Sequence, residues 1–244
     1  MPDIVVFAEA ASDAEIVCGL ADRVFVEKGS ISQNNLAACR SWCGYEANTN
    51  FTQKVRIPDL FDGLKRGSQR PRNLGYIAGK PQKSHAAFWR KAVQLVVEIR
   101  KSLPVEGILI HCDVDNKPEQ LDGLKQACGD PEHNTLAIVF ATPDREIEAW
   151  LLNGFIPENP AEEKLLAEWK RKLKFNPCTQ AERASIGGRD PKKIITALTN
   201  DDEDRRRRYW SETTLSTLRQ RGEKTNLTQF LDEVETRLLR LLSN

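Results

Sequence analysis

The stretch Gly107-Ile108-Leu109-Ile110-His111-Cys112-Asp113-Val114-Asp115 decides the fold. An apolar run entered from a glycine and left through acids reads as a strand buried on both faces, not as a half-wet edge. Ile4-Val5-Val6-Phe7 and Leu136-Ala137-Ile138-Val139-Phe140-Ala141 have the same character. Helical spacing fills the intervals. Ser12 offers an N-cap, Glu15 completes a capping-box pattern, and Ile16, Val17, Leu20 and Val24 come after it, which predicts a helix from Asp13 to about Glu27. From Ala86 to Lys101 the residues Phe88, Ala92, Leu95, Val96 and Ile99 share one face, before Pro104 and Gly107 break the helix. Further helices are expected from Pro118 to Ala127 and from near Asp144, the latter burying Ile147, Trp150 and Leu151. Buried strands alternating with helices predict an α/β fold with a parallel sheet covered on both sides.

After Pro157 the apolar strands stop, and the chain reads as charged helices over Glu162 to Lys174, Pro191 to Leu198 and Leu227 to Leu242. The expected organisation is a core at about residues 1–155 and a helical C-terminal extension, 156–244, packed on it. Asp201-Asp202-Glu203-Asp204-Arg205-Arg206-Arg207-Arg208 reads as a self-neutralising exposed segment. Residues 28–83 read as irregular, with one short strand near Lys54 to Ile57. Lys65, Arg66, Arg70, Arg72, Lys80 and Lys83 fall there. They make either a solvated loop or a contact to a nucleic-acid backbone.

Hydrophobic residues make up 40% and charged residues 29%, a globular balance, and the net charge of +1 gives no global basic field. Binding to a polyanion must therefore come from local patches or from a bound metal. No apolar run is long enough to span a bilayer. Met1-Pro2-Asp3-Ile4 lacks the basic-then-apolar pattern of a secretory signal, so the expected location is the cytoplasm. Of six cysteines, Cys18 and Cys112 read as core thiols, while Cys39 and Cys43 are spaced to share a helix face. No second pair stands near enough to complete a zinc site, so free thiols are expected.

The acids at strand ends carry the chemistry. Glu9 lies just past the first strand, with Asp13 beyond it; Asp113 and Asp115 end the second; Glu146 and Glu148 lie past the third. In a parallel α/β sheet the carboxyl ends lie along one edge, where ligands bind. Gathered carboxylates repel one another unless a hard cation such as Mg²⁺ or Mn²⁺ neutralises them. Asp113 and Asp115, two apart on extended chain, point the same way. The competing reading is that these acids cap helices and face water.

These residues resemble a known family. Phe7-Ala8-Glu9-Ala10-Ala11-Ser12-Asp13 is similar to the first TOPRIM motif, which in overcoming-lysogenization-defect nucleases commonly reads Glu-Gly-x-x-Asp; Ala10 stands where that glycine would be. Ile110-His111-Cys112-Asp113-Val114-Asp115 is similar to the second, without the glycine that commonly comes after it. Glu146-Ile147-Glu148-Ala149-Trp150-Leu151-Leu152, Asn176-Pro177 and Asp190-Pro191-Lys192-Lys193 resemble segments of a TOPRIM-like family, domain of unknown function 4276. The resemblance, scattered from residue 4 to about 198, implies a TOPRIM/Rossmann-like sheet and a metal-dependent nuclease, a hydrolase of DNA or RNA phosphodiester bonds. It further implies the effector of a two-component anti-phage defence system with an ATPase partner; self-association is open. On this reading Glu9, Asp113 and Asp115 hold Mg²⁺ or Mn²⁺ and catalyse, with Asp13, Glu146 and Glu148 completing the metal site. Lys192 stabilises charge on the phosphate, and Arg66, Arg70, Arg72 and Lys193 hold nucleic acid.

Two alternatives compete. One is a non-catalytic TOPRIM-like subunit, regulatory or structural, of an ATPase complex. The other is a glycosyltransferase that uses Asp-x-Asp to hold a metal–nucleotide diphosphate, which leaves Glu9 without a role. Among the histidines, His111 reads as a core residue and His85 as a helix start, with His133 a third candidate base. Gly187-Gly188-Arg189 reads as a flexible turn.

Overall fold

The computed structural model describes residues 1–47, 49, 75–83, 85–114, 118–129, 135–144, 146–184 and 189–243. Its strands are β1 (Asp3–Phe7), β2 (Ser41–Cys43), the short hairpin β3 (Tyr76–Ile77) and β4 (Lys80–Pro81), β5 (Val105–His111) and β6 (Ala137–Ala141). The helices are α1 (Ala11–Gly29), α2 (Leu36–Cys39), α3 (Ala86–Ile99), α4 (Pro118–Cys128), α5 (Glu148–Gly154) and α6 (Pro160–Leu173). They continue as α7 (Ala181–Ala184), α8 (Pro191–Thr199), α9 (Glu203–Ser211), α10 (Leu215–Gly222) and α11 (Leu227–Glu233).

The main sheet has four strands in the order β2-β1-β5-β6, all parallel. Side chains alternate between two apolar layers, as the pleat requires. Ile4, Val6, Leu109 and Val139 face α1 and the C-terminal helices, while Val5, Phe7, Ile108 and Ile110 face α3 and α4. The first layer is continuous from α1 through α5 to Leu227, Phe230 and Leu231 of α11, so the C-terminal helices share a core with the sheet. The outer edge of β6 is closed by side chains: Glu233 accepts the Phe140 amide at 3.2 Å and Arg237 donates to the Ile138 carbonyl at 2.9 Å. Satisfying those groups removes a template for unwanted strand pairing.

Several local expectations need correction. β2 lies inside the region read as irregular; Ser41, Trp42 and Cys43 are buried by pairing with β1, and Trp42 stacks on Phe25. Cys39 and Cys43 share no helix face, because one ends α2 and the other lies in β2. α1 begins at Ala11, ahead of Ser12, and Asp13 rather than Ser12 closes its first turn by accepting the Ala10 amide at 3.1 Å. α3 buries Ala86, Trp89, Ala92, Val93 and Val96, a face turned from the expected one, which leaves Phe88, Leu95 and Ile99 partly exposed. α5 starts at Glu148, not near Asp144, whose amide is engaged by the Thr225 carbonyl.

The run of arginines is not uniformly exposed. Arg205 is buried in α9, paired with Glu158 at 2.6 Å and Glu162 at 2.6 Å, and its guanidinium lies over the rings of Phe155 and Tyr209. The strand expected near Lys54 to Ile57 falls outside the described residues.

Candidate acidic site at the carboxyl edge of the sheet

β1 and β5 are adjacent and parallel, so the residues just past their carboxyl ends lie side by side. The chain leaves β1 into Glu9, and Glu9 Oε1 accepts the Asp113 amide at 3.2 Å, tying the two strand ends together. Asp13 is fixed by its own helix start: Oδ2 takes the Ala10 amide and Oδ1 the Ser12 hydroxyl at 3.3 Å.

Between Asp13 and Asp113 sits His111, the last residue of β5 and 0% exposed. Its Nδ1 is 3.7 Å from Asp13 Oδ2 and its Nε2 is 3.4 Å from Asp113 Oδ1. Neither ring nitrogen completes a hydrogen bond, and Asp113 Oδ1 is likewise buried without a partner. Buried polar atoms are normally satisfied, so three orphans in one place mark a site built for something further.

Glu148, the first residue of α5, joins the cluster from the far side of β6. Burial raises its carboxyl above the ordinary value, Asp113 and Asp13 raise it further, and Lys192 opposes them. Asp13 is also raised, first by burial and then by Asp113, with His111 opposing. Both carboxyls thus resist ionisation unless a cation arrives.

A cavity of about 280 Å³ opens beside them, lined by Asp13, Glu148, Ser12 and Glu15 on one side and by Lys192, Glu203, Arg206 and Arg207 on the other. Lys192 is exposed in the first turn of α8. Lys193 instead turns to its own cap residue, with Nζ 3.7 Å from Asp190 Oδ2. Glu146 lies half-buried ahead of α5, and its carbonyl accepts the Ala149 amide. Asp115, Arg66, Arg70, Arg72 and His133 lie outside the described residues. Lys83 pairs with Asp122 at 2.8 Å.

The structure therefore brings Glu9, Asp13, Asp113, Glu148 and Lys192 to one edge. It adds His111, read from sequence as a core histidine, and Arg206 and Arg207, read as part of an exposed block. The signal for His111 was present in its place two residues before Asp113. Among the described residues no three Asp, Glu, His or Cys side chains close on one point as a ready-made metal centre. What suits a divalent ion is the donor set, hard carboxylate oxygens with one buried and unpartnered. No family model matches this chain, and neither a curated protein nor a solved structure does.

Proposed function

We propose that the chain is a metal-dependent phosphodiesterase acting on nucleic acid, with a TOPRIM-like acidic site. The observation that carries this reading is the unpartnered Oδ1 of Asp113, buried between His111 and the raised carboxyls of Asp13 and Glu148. Carboxylates held at a strand edge against their own repulsion are stabilised by Mg²⁺ or Mn²⁺, and Glu9, Asp13, Asp113 and Glu148 are the residues that would hold it. The chemistry such an ion supplies when bound is Lewis-acid activation of a phosphoryl group and of water.

The chain's own residues do the rest. The Asp113 amide holds Glu9, and the Ala10 amide holds Asp13, so these acids need little reorganisation when a ligand arrives. His111 stands between Asp13 and Asp113 and keeps their carboxylates apart. Lys192 faces Glu148 across the cavity, where an ammonium can stabilise charge growing on a phosphate. The test is cleavage of end-labelled DNA and RNA with Mg²⁺, Mn²⁺ or chelator. Metal-dependent cleavage that falls at least a hundredfold in Asp113→Asn supports the reading; equal cleavage by both proteins refutes it.

A further inference from the structure

The cavity beside Asp13 and Glu148 is polarised. α1 and α5 give it an acidic wall, and α8 and α9 give it Lys192, Arg206 and Arg207. Arg207 is spoken for by Glu15 at 2.7 Å. Arg206 uses one terminal nitrogen on Thr196 at 2.9 Å and on Asp201, and its Nε is buried without a partner. The Lys192 ammonium has no ion-pair partner among the described residues.

Ile16, Ile147, Leu151 and Trp210 supply an apolar surface between the two walls. The Trp210 indole is seated on Gly19, where a Cβ would collide with the ring. Glycine at that position is what lets the indole lie against α1 at the cavity.

We infer that this cavity receives one unpaired nucleotide of a nucleic-acid strand, with its phosphate toward Lys192 and Arg206 and its base against Trp210. The inference rests on reading the acids as a phosphodiesterase site. A volume of about 280 Å³ suits one nucleotide, and a duplex cannot enter it without opening. Stacking on an indole beside cations is how single strands are held irrespective of sequence. The lining holds Asp13, Glu15, Glu148 and Glu203 against Lys192, Arg206 and Arg207, so phosphate binds only when a divalent ion offsets the acids. The substrate class is accordingly single-stranded nucleic acid, or the frayed end of a duplex.

The test uses the full chain with Ca²⁺ replacing Mg²⁺ to hold complexes uncut. Fluorescence anisotropy is read with labelled oligo(dT), oligo(U) and an oligo(dT)·oligo(dA) duplex. The expected result is at least tenfold tighter binding of a single strand than of duplex, with the two single strands separating DNA from RNA. Trp210→Leu and Lys192→Ala should each weaken single-strand binding about tenfold, and Trp210→Phe should retain most of it. Melting curves of each variant show that it is folded; should Trp210→Leu unfold, Trp210→Phe and Lys192→Ala decide. Equal affinity for duplex and single strand, or wild-type binding by a folded Trp210→Leu, overturns the inference. If cleavage still depends on Asp113 in that case, the phosphodiesterase reading stands without it; cleavage independent of Asp113 removes both.

Discussion

Replacing Asp113 with asparagine removes one charge and almost no volume. Asp13 and Asp113 lie 3.7 and 3.4 Å from opposite nitrogens of one imidazole. Their carboxylates are thus on the order of 8 Å apart, where two like charges repel by about 2 kcal/mol at an effective dielectric of ~20. Asp113 Oδ1 has no hydrogen bond to lose, and the backbone bond to Glu9 is kept. Without metal, Asp113→Asn should therefore be more stable than wild type by about 1–2 kcal/mol at pH 8, once partial exposure has screened some of the repulsion. For a chain of this size the melting temperature should rise by roughly 2–8 °C, at about 2–4 °C per kcal/mol. Millimolar Mg²⁺ should reverse the order: metal at a hundred times its dissociation constant adds about 2.7 kcal/mol to the wild type, and the variant should gain little. Urea unfolding followed by tryptophan fluorescence, with and without Mg²⁺, measures both arms. A variant less stable than wild type in chelator, with an undiminished Mg²⁺ gain, refutes the reasoning and makes Asp113 a structural residue.

Other expectations rest on the same residues. Asp13 and Glu148 have folded-state values raised above their unfolded ones, so the stability present below pH ~4 should be lost as pH rises through the raised values. Urea titrations from pH 4 to 8 should show that fall in wild type and a flatter profile in Asp13→Asn/Glu148→Gln. The Mg²⁺-induced rise in melting temperature should grow over the same pH interval, because the ion binds only deprotonated carboxylates; scanning calorimetry at several pH values measures it. Arg205→Ala should cost about 3–5 kcal/mol in a chemical melt, because it strands Glu158 and Glu162 beside the ring of Phe155.

The central strands were legible because β1, β5 and β6 are apolar runs buried on both faces, which few other structures tolerate. β2 was not, since Ser41-Trp42-Cys43 has no periodicity of its own and becomes a strand only through β1. The acids at strand ends could be read as converging because parallel topology fixes where strand ends go. Asp13 had a second duty that sequence did not separate, closing the first turn of α1 as well as facing His111. His111 itself was hard to place because burial and chemistry are alternatives for most histidines, and here the residue is wholly buried and still lies between two acids. Arg206 and Arg207 were hidden in a run whose charges balance in sequence; the fold of α9 turns Arg205 inward and its neighbours toward the cavity.

The most direct measurement is the position of the metal. Crystals grown with Mn²⁺ and measured at wavelengths on either side of its absorption edge locate the ion by anomalous scattering, independently of any activity. The expected result is a peak within coordination distance of Asp113 Oδ1 and a carboxylate oxygen of Asp13 or Glu148, lost in Asp113→Asn crystals grown alike. A peak elsewhere, or one that persists when Asp113 is replaced, contradicts the assignment of these acids as the metal site.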